Sequence, residues 1–234
     1  MTDTSPITIV FALFPGVTQL DFTGPHQVLS RLPGAEVILA SSEGGAIETD
    51  GIIFAGLRRL ADIRRCDIIC VPGGFGVTDN AIADEEFLRQ LRRLAEGARY
   101  VTSVCTGSLA LGAAGLLRGK RAACHWAWRS LLTAFGAIPD PGRVVRDGNI
   151  VTGGGVTAGI DFALSLAAEL AGSETAQAIQ LGIEYAPAPP FEAGTPELAP
   201  PGVLAQATQR YAAGAEQRRA AVEAAAARMP TAGY

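Results

Sequence analysis

Lysine is almost missing from this chain: Lys120 is the one example, so 18 of the 19 basic residues are arginines. Against 23 acidic residues the formal charge is −4, and a mildly acidic chain with no basic block makes a poor nucleic-acid partner. The arginine bias, with the Ala and Gly enrichment, reads as genomic base composition rather than function. Charge is scarce altogether, at 18% of residues, below the roughly 25% usual for soluble proteins. Hydrophobic residues reach 48% and mean hydropathy is +0.24. Even so, no run of about 18 uncharged apolar residues occurs, so no membrane-spanning helix is expected. The opening MTDTSP lacks the basic and apolar segments of a secretory leader, so a cytoplasmic location is expected. There are only two histidines and four cysteines, Cys66, Cys70, Cys105 and Cys124, and none stands at zinc-ligand spacing. We therefore expect reduced thiols and no metal.

What is present is an alternation of apolar strands and helices. Residues 7–14 (ITIVFALF), 35–41, 67–74 and 99–105 read as strands, the first, third and fourth as continuous buried runs. Helical patterns cover about 19–32, with Pro25 in a first turn or at a kink, and 84–98, with Phe87, Leu88, Leu91 and Leu94 on one face. TGSLALGAAGLL (106–117), WAWRSLLTAF (126–135) and 157–172 also read as helices, as does 173–185 with Ser173 as its N-cap. Asp147-Gly148 marks a hairpin over 143–154. A Gly-rich stretch with a short IIF segment follows the second strand. The Pro-rich residues 186–201 read as an extended surface segment, and one helix is expected from about Val203 to Arg228. This order predicts a mostly parallel sheet between two helical layers, a flavodoxin-like α/β/α sandwich. Residues 1–201 would form the α/β domain, and 202–234 an Ala-rich helical extension packed on it.

Chemistry points first to Cys105. The strand YVTSV delivers it into a turn that opens the helix Thr106-Gly107-Ser108, the arrangement of a nucleophile elbow. Free N–H groups at a helix start lower a thiol pKa, and the Thr106 N–H would face a developing negative charge. Gly74, in Pro72-Gly73-Gly74 after the neighbouring strand, could add a second backbone donor. The opposing reading, an inert buried thiol, stands at even weight on local pattern alone. Asp21, in LDFTGP after the first strand, is either a helix-start charge or a carboxyl beside the thiol. In the second case desolvation and like charge would raise its pKa and make it a general acid. His125, in ACHWAW, either assists the thiol or packs; His26 reads as structural. Gly153-Gly154-Gly155 allows close backbone approach or makes a strand-to-helix turn. Ile160, Leu164 and Ala167 read as core, and Cys66, Cys70 and Cys124 as structural thiols, with Cys124 the nearest to a pocket.

Taken in order, LDFTGP, PGG at 72–74, SVCTGSLALGAAGLL, the HW pair and GGGVTAGIDFAL resemble the ThiJ/PfpI superfamily across essentially the whole chain. Thr106 after the cysteine, where protease-like and deglycase-like branches place His or Ala, and Asp rather than Glu at 21 resemble its isonitrile-hydratase group. Regulators sharing this core carry two helix-turn-helix units, for which the residues after the Pro-rich segment leave no room. The resemblance implies cofactor-free hydration of an isonitrile to an N-substituted formamide. In that scheme the Cys105 thiolate attacks the terminal carbon and protonated Asp21 supplies a proton. Backbone near Gly74 and Thr106 steadies a covalent thioimidate, and Thr106 with Gly154, Gly155 and Val156 shapes the pocket. A homodimer is also implied, with no nucleic acid or membrane partner. A glyoxalase- or deglycase-like thiol enzyme and a non-catalytic thiol sensor are the alternatives.

Overall fold

The computed structural model describes residues 6–229. Residues 1–5, which include most of the segment read for a leader, and residues 230–234 of the extension lie outside it. The chain opens with β1 (Ile7–Ala12), α1 (Gln19–Leu29) and β2 (Ala35–Ser41), followed by the hairpin β3 (Gly45–Thr49) and β4 (Ile52–Arg59). Next come β5 (Ile68–Val71), α2 (Glu85–Gly97), β6 (Tyr100–Val104) and α3 (Gly107–Ala113). Two short strands, β7 (Arg121–Ala122) and β8 (Ile138–Pro139), form a separate small sheet. The hairpin β9 (Val144–Asp147) and β10 (Ile150–Gly153) leads into α4 (Ala158–Ala171) and α5 (Ser173–Gly182). The last elements are α6 (Pro201–Ala212) and α7 (Ala215–Ala227).

The main sheet runs β3-β4-β2-β1-β5-β6-β10-β9. It is parallel from β4 to β10, with an antiparallel hairpin at each edge. The central strands explain the apolar composition. Residues 9–12 of β1 and 68–71 of β5 have no exposed surface, as parallel strands covered on both faces require. Helices flank this sheet in the flavodoxin-like manner: α1 packs on α4 and α4 on α5, while α2, α3 and α7 make a second connected set. Between α1 and α4 the approach is tight. A Cβ on Gly159 would lie 2.9 Å from Pro25 Cδ, so Pro25, inside α1, serves the helix contact.

Three local expectations are corrected and one unassigned stretch gains a structure. The Gly-rich stretch after β2 is a hairpin. Residues 126–135 contain no α-helix; Arg129–Phe135 is a 3-10 turn, whose buried Leu132 and Phe135 stand three apart, the spacing that aligns side chains in that geometry. Ser173 is the first helical residue of α5, and its cap position is taken by Gly172 with no side-chain hydrogen bond. The expected helix from Val203 to Arg228 is two helices, because Gly214 adopts φ 72° and ψ 10° between them, a left-handed conformation that ends a helix.

Candidate active site

The carboxyl ends of three adjacent strands, β1, β5 and β6, converge where α/β sheets bind ligands. From the end of β6 the chain passes through Cys105 at φ 58° before α3 begins. A side chain in this left-handed region costs about 1–3 kcal/mol and persists only where the surroundings hold it. One such restraint is the Cys105 N–H, which donates to the Gly153 carbonyl at the end of β10 at 3.0 Å. The thiol is 5% exposed.

Asp21 comes from the first turn of α1 and is fully buried. Its Oδ2 accepts the Gly73 N–H at 2.9 Å, whereas Oδ1 has no partner in hydrogen-bond geometry. Burial pushes this carboxyl up to about 7, against the lowering effects of the Gly73 N–H and the neighbouring Cys105 thiol. Cys105 also moves up, well above the ordinary 9.0, chiefly through burial and then through the Asp21 charge, while the Thr106 N–H works in the other direction. The expectation of a depressed thiol pKa is therefore corrected. One donor at the helix start does not offset desolvation plus a nearby carboxylate. Asp21 and Cys105 form a coupled pair in which each group makes the other harder to ionise.

Thr106 ties this pair to the loop after β5. Its hydroxyl accepts the Gly74 N–H at 2.9 Å and donates to the Gly74 carbonyl at 3.2 Å. The Gly74 N–H is thereby occupied, which removes it as a free donor for substrate. Thr106 presents its own N–H to the Cys105 sulfur and uses its side chain as a strut.

Above the sulfur lies a small cleft of about 70 Å³, walled by Cys105, Thr106, Gly74, Thr18 and Val156. Its rim is aromatic: Phe75, His125, Trp128 and, from α6, Tyr211. His125 is held below its ordinary pKa by burial, and its Nδ1 accepts the Ala127 N–H at 3.3 Å. It is a neutral wall of the cleft rather than a group bonded to the thiol. Gly154 and Gly155 do not line this cleft. They face an adjoining one shared with His125 and Val156, and the Gly154 N–H is bound to the Arg143 carbonyl at 2.9 Å. Gly153, through its carbonyl, is the glycine that holds Cys105.

The other three cysteines are free and buried, each pushed up to about 12 mainly by burial. Among the described residues no cluster of three metal-ligating side chains occurs, and no helix is long and apolar enough to cross a membrane. Sequence reasoning missed Thr18, Phe75, Trp128 and Tyr211. Phe75 follows the Pro-Gly-Gly turn directly and could have been placed from it; Tyr211 lies in a distant Ala-rich helix with no local signal.

Fold and site together define an α/β protein in which a thiol at the floor of a cleft on the sheet's carboxyl edge has a fully buried carboxyl beside it. The sequence pattern of the DJ-1/PfpI family matches residues 7–169, and the chain belongs to that family. It is 52% identical over 224 residues to the isonitrile hydratase of Pseudomonas putida, covering 95% of this chain and 98% of that protein. A crystal structure of a ThiJ/PfpI family protein from Pseudomonas syringae superposes with a TM-score of 0.89 at 38% identity, covering 95% of this chain and 91% of that one. Protein dj-1beta of Drosophila melanogaster is 28% identical over 177 residues, 73% of this chain and 93% of its own length.

Proposed function

We propose that the chain is an enzyme that hydrates an isonitrile to an N-substituted formamide through a covalent thioimidate on Cys105. The observation that carries the reading is the coupled Asp21–Cys105 pair, with Cys105 lining an aromatic-rimmed cleft and Asp21 buried beside it. The similarity to the Pseudomonas putida hydratase over nearly the whole chain supports it.

The pair's titration states order the chemistry. With one proton on the pair, Asp21 is a carboxylate beside a neutral thiol, or the reverse. As sulfur bonds to the terminal isonitrile carbon, Asp21 takes the S–H proton and returns it to that same carbon, giving R–N=CH–S–Cys105. The Thr106 N–H steadies the sulfur as it gains charge. Water then adds to the thioimidate carbon, with Asp21 passing one water proton to nitrogen. The tetrahedral adduct collapses: the C–S bond breaks, the hydroxyl proton returns through Asp21 to sulfur, and R–NH–CHO leaves. Each step uses Cys105, Asp21, Thr106 and water, so the scheme calls for no cofactor. Val156 and His125 contribute walls, and Gly74 acts through its link to Thr106.

Infrared loss of the isonitrile stretch, with mass spectrometry of the formamide and of a Cys105 adduct, tests the reading. Wild-type protein is expected to turn over and Cys105→Ala is not. Consumption of methylglyoxal with no isonitrile loss would overturn it. The proposal also includes a homodimer in a reducing, cytoplasmic setting. The four free thiols support the compartment, and exposed Leu181, Phe191 and Leu198, at 81%, 79% and 65%, support association. Sedimentation at twice the protomer mass is the expected result.

A further inference from the structure

The cleft has Cys105 and Thr106 among its walls and aromatic side chains at its rim. Its volume is about 70 Å³. A substrate whose terminal carbon meets Cys105 carries its substituent toward that rim. There the substituent meets rings. Tyr211 lies 6.3 Å from Phe75 at an interplanar angle of 17°, 5.2 Å from His125 and 5.5 Å edge-on from Trp126.

How Tyr211 comes to be there is unusual. No residue of α6 is fully buried, and only Leu204, Ala207 and Tyr211 are half-buried, so its packing is not that of a core helix. Arg218 of α7 fastens the end of α6 instead. Its guanidinium donates to the Tyr211 and Ala213 carbonyls and lies 4.6 Å over the Trp128 ring. α7 is itself anchored, with Val222 and Ala225 buried and Arg228 bonded to Glu85 and to the Ile82 carbonyl. A ring held at the cleft rim by a chelating arginine, on a helix with no fully buried residue, is placed for contact with a ligand.

We infer that Tyr211 selects the substituent of the substrate, and that Arg218 is its positioning residue. The site favours uncharged isonitriles bearing a planar or bulky apolar group that lies against Tyr211 and Phe75. This rests on the isonitrile reading for its reaction, though not for its binding surface. No Lys, Arg, Asp or Glu is among the described residues lining the cleft, and Arg218 at the rim is committed to the Tyr211 and Ala213 carbonyls and the Trp128 ring, so the surface favours an uncharged substituent.

The test compares benzyl isonitrile with methyl isonitrile. Tyr211→Ala is expected to lower kcat/KM for the benzyl compound at least about tenfold, mainly through KM, and to leave the methyl compound within about twofold. Tyr211→Phe should retain the preference, and Arg218→Ala should shift it in the same direction as Tyr211→Ala. Equal losses for both substrates, or none, would overturn the inference. A second measurement needs no turnover: alkylation of Cys105 by N-benzyl iodoacetamide against iodoacetamide, followed by mass spectrometry. The benzyl preference should vanish in Tyr211→Ala. If that ratio moves while wild-type protein consumes no isonitrile, the surface stands and the reaction assignment falls. If isonitriles are consumed and neither ratio moves, Tyr211 is not the selecting residue.

Discussion

The Gly73 N–H donates to Asp21 Oδ2 with 2.9 Å between nitrogen and oxygen, and so ties the buried carboxyl to the loop after β5. A Cβ at Gly73 would stand 2.4 Å from the Thr106 nitrogen, 2.6 Å from its hydroxyl and 2.9 Å from Asp21 Oδ2. Gly73→Ala must therefore displace the helix start or the carboxyl. We expect a stability loss of about 1–3 kcal/mol and a fall in kcat of at least about tenfold, measured by chemical denaturation and steady-state kinetics.

Asp21 makes the fold pH-dependent in a definite direction. Its carboxyl holds a proton to about 7 when folded, against 3.8 as the ordinary value. Between those values the folded state binds more protons than the unfolded one, so stability falls as pH rises through that window and is lowest above it. The full effect is of order 4 kcal/mol. Asp21→Asn, whose side-chain oxygen still accepts from Gly73, should raise Tm at pH 8. The gain should close toward pH 4.

The same substitution should act oppositely on catalysis. If the working state carries one proton on the pair, wild-type kcat/KM rises with pH through about 7, where Asp21 ionises, and levels off. Asp21→Asn should lose that inflection and about 10²–10⁴ in rate. The Cys105 thiol, no longer opposed by a carboxylate, should ionise at lower pH than in the wild type. Ultraviolet thiolate absorbance against pH reads this directly; an unchanged thiol titration would refute the coupling.

Thr106→Val tests the strut apart from the donor. It removes the hydroxyl that accepts from and donates to Gly74 but keeps the backbone N–H. A buried Gly74 amide is left unpaired, at a cost of about 1–3 kcal/mol. Activity should fall less than in Asp21→Asn, with the Cys105 adduct still detectable by mass spectrometry.

Much of this arrangement could be read from the chain, for physical reasons that can be named. The strand at Ile68–Val71 was legible because a strand covered on both faces must be continuously apolar. Cys105 and Asp21 were legible because a residue just past a buried parallel strand lands on the ligand edge whatever surrounds it. The β3–β4 hairpin was not recognised, although Asp50 and Gly51 take φ 52° and 75°, the two positive values that an Asp-Gly hairpin turn uses. Its strands are largely exposed and give little apolar alternation. The sign of the Cys105 shift was misread because it depends on how deeply the thiol is enclosed, which only the packed structure shows. Tyr211 was out of reach for a related reason: its position comes from Arg218 and from the Gly214 break, tertiary features with no local periodicity.

The helical pair α6–α7 has a consequence for how such a protein can change. The DJ-1/PfpI pattern ends at residue 169, yet one wall of the cleft is furnished from beyond it, by Tyr211. Thiol, carboxyl and strut all lie on one side of that boundary, with Phe75, His125 and Trp128 of the rim, and Tyr211 on the other. Mutation in α6 can therefore reshape the entrance while leaving the reacting groups and their sheet untouched. Inheritance of the chemistry and drift of the preferred molecule are thus separable along a single chain.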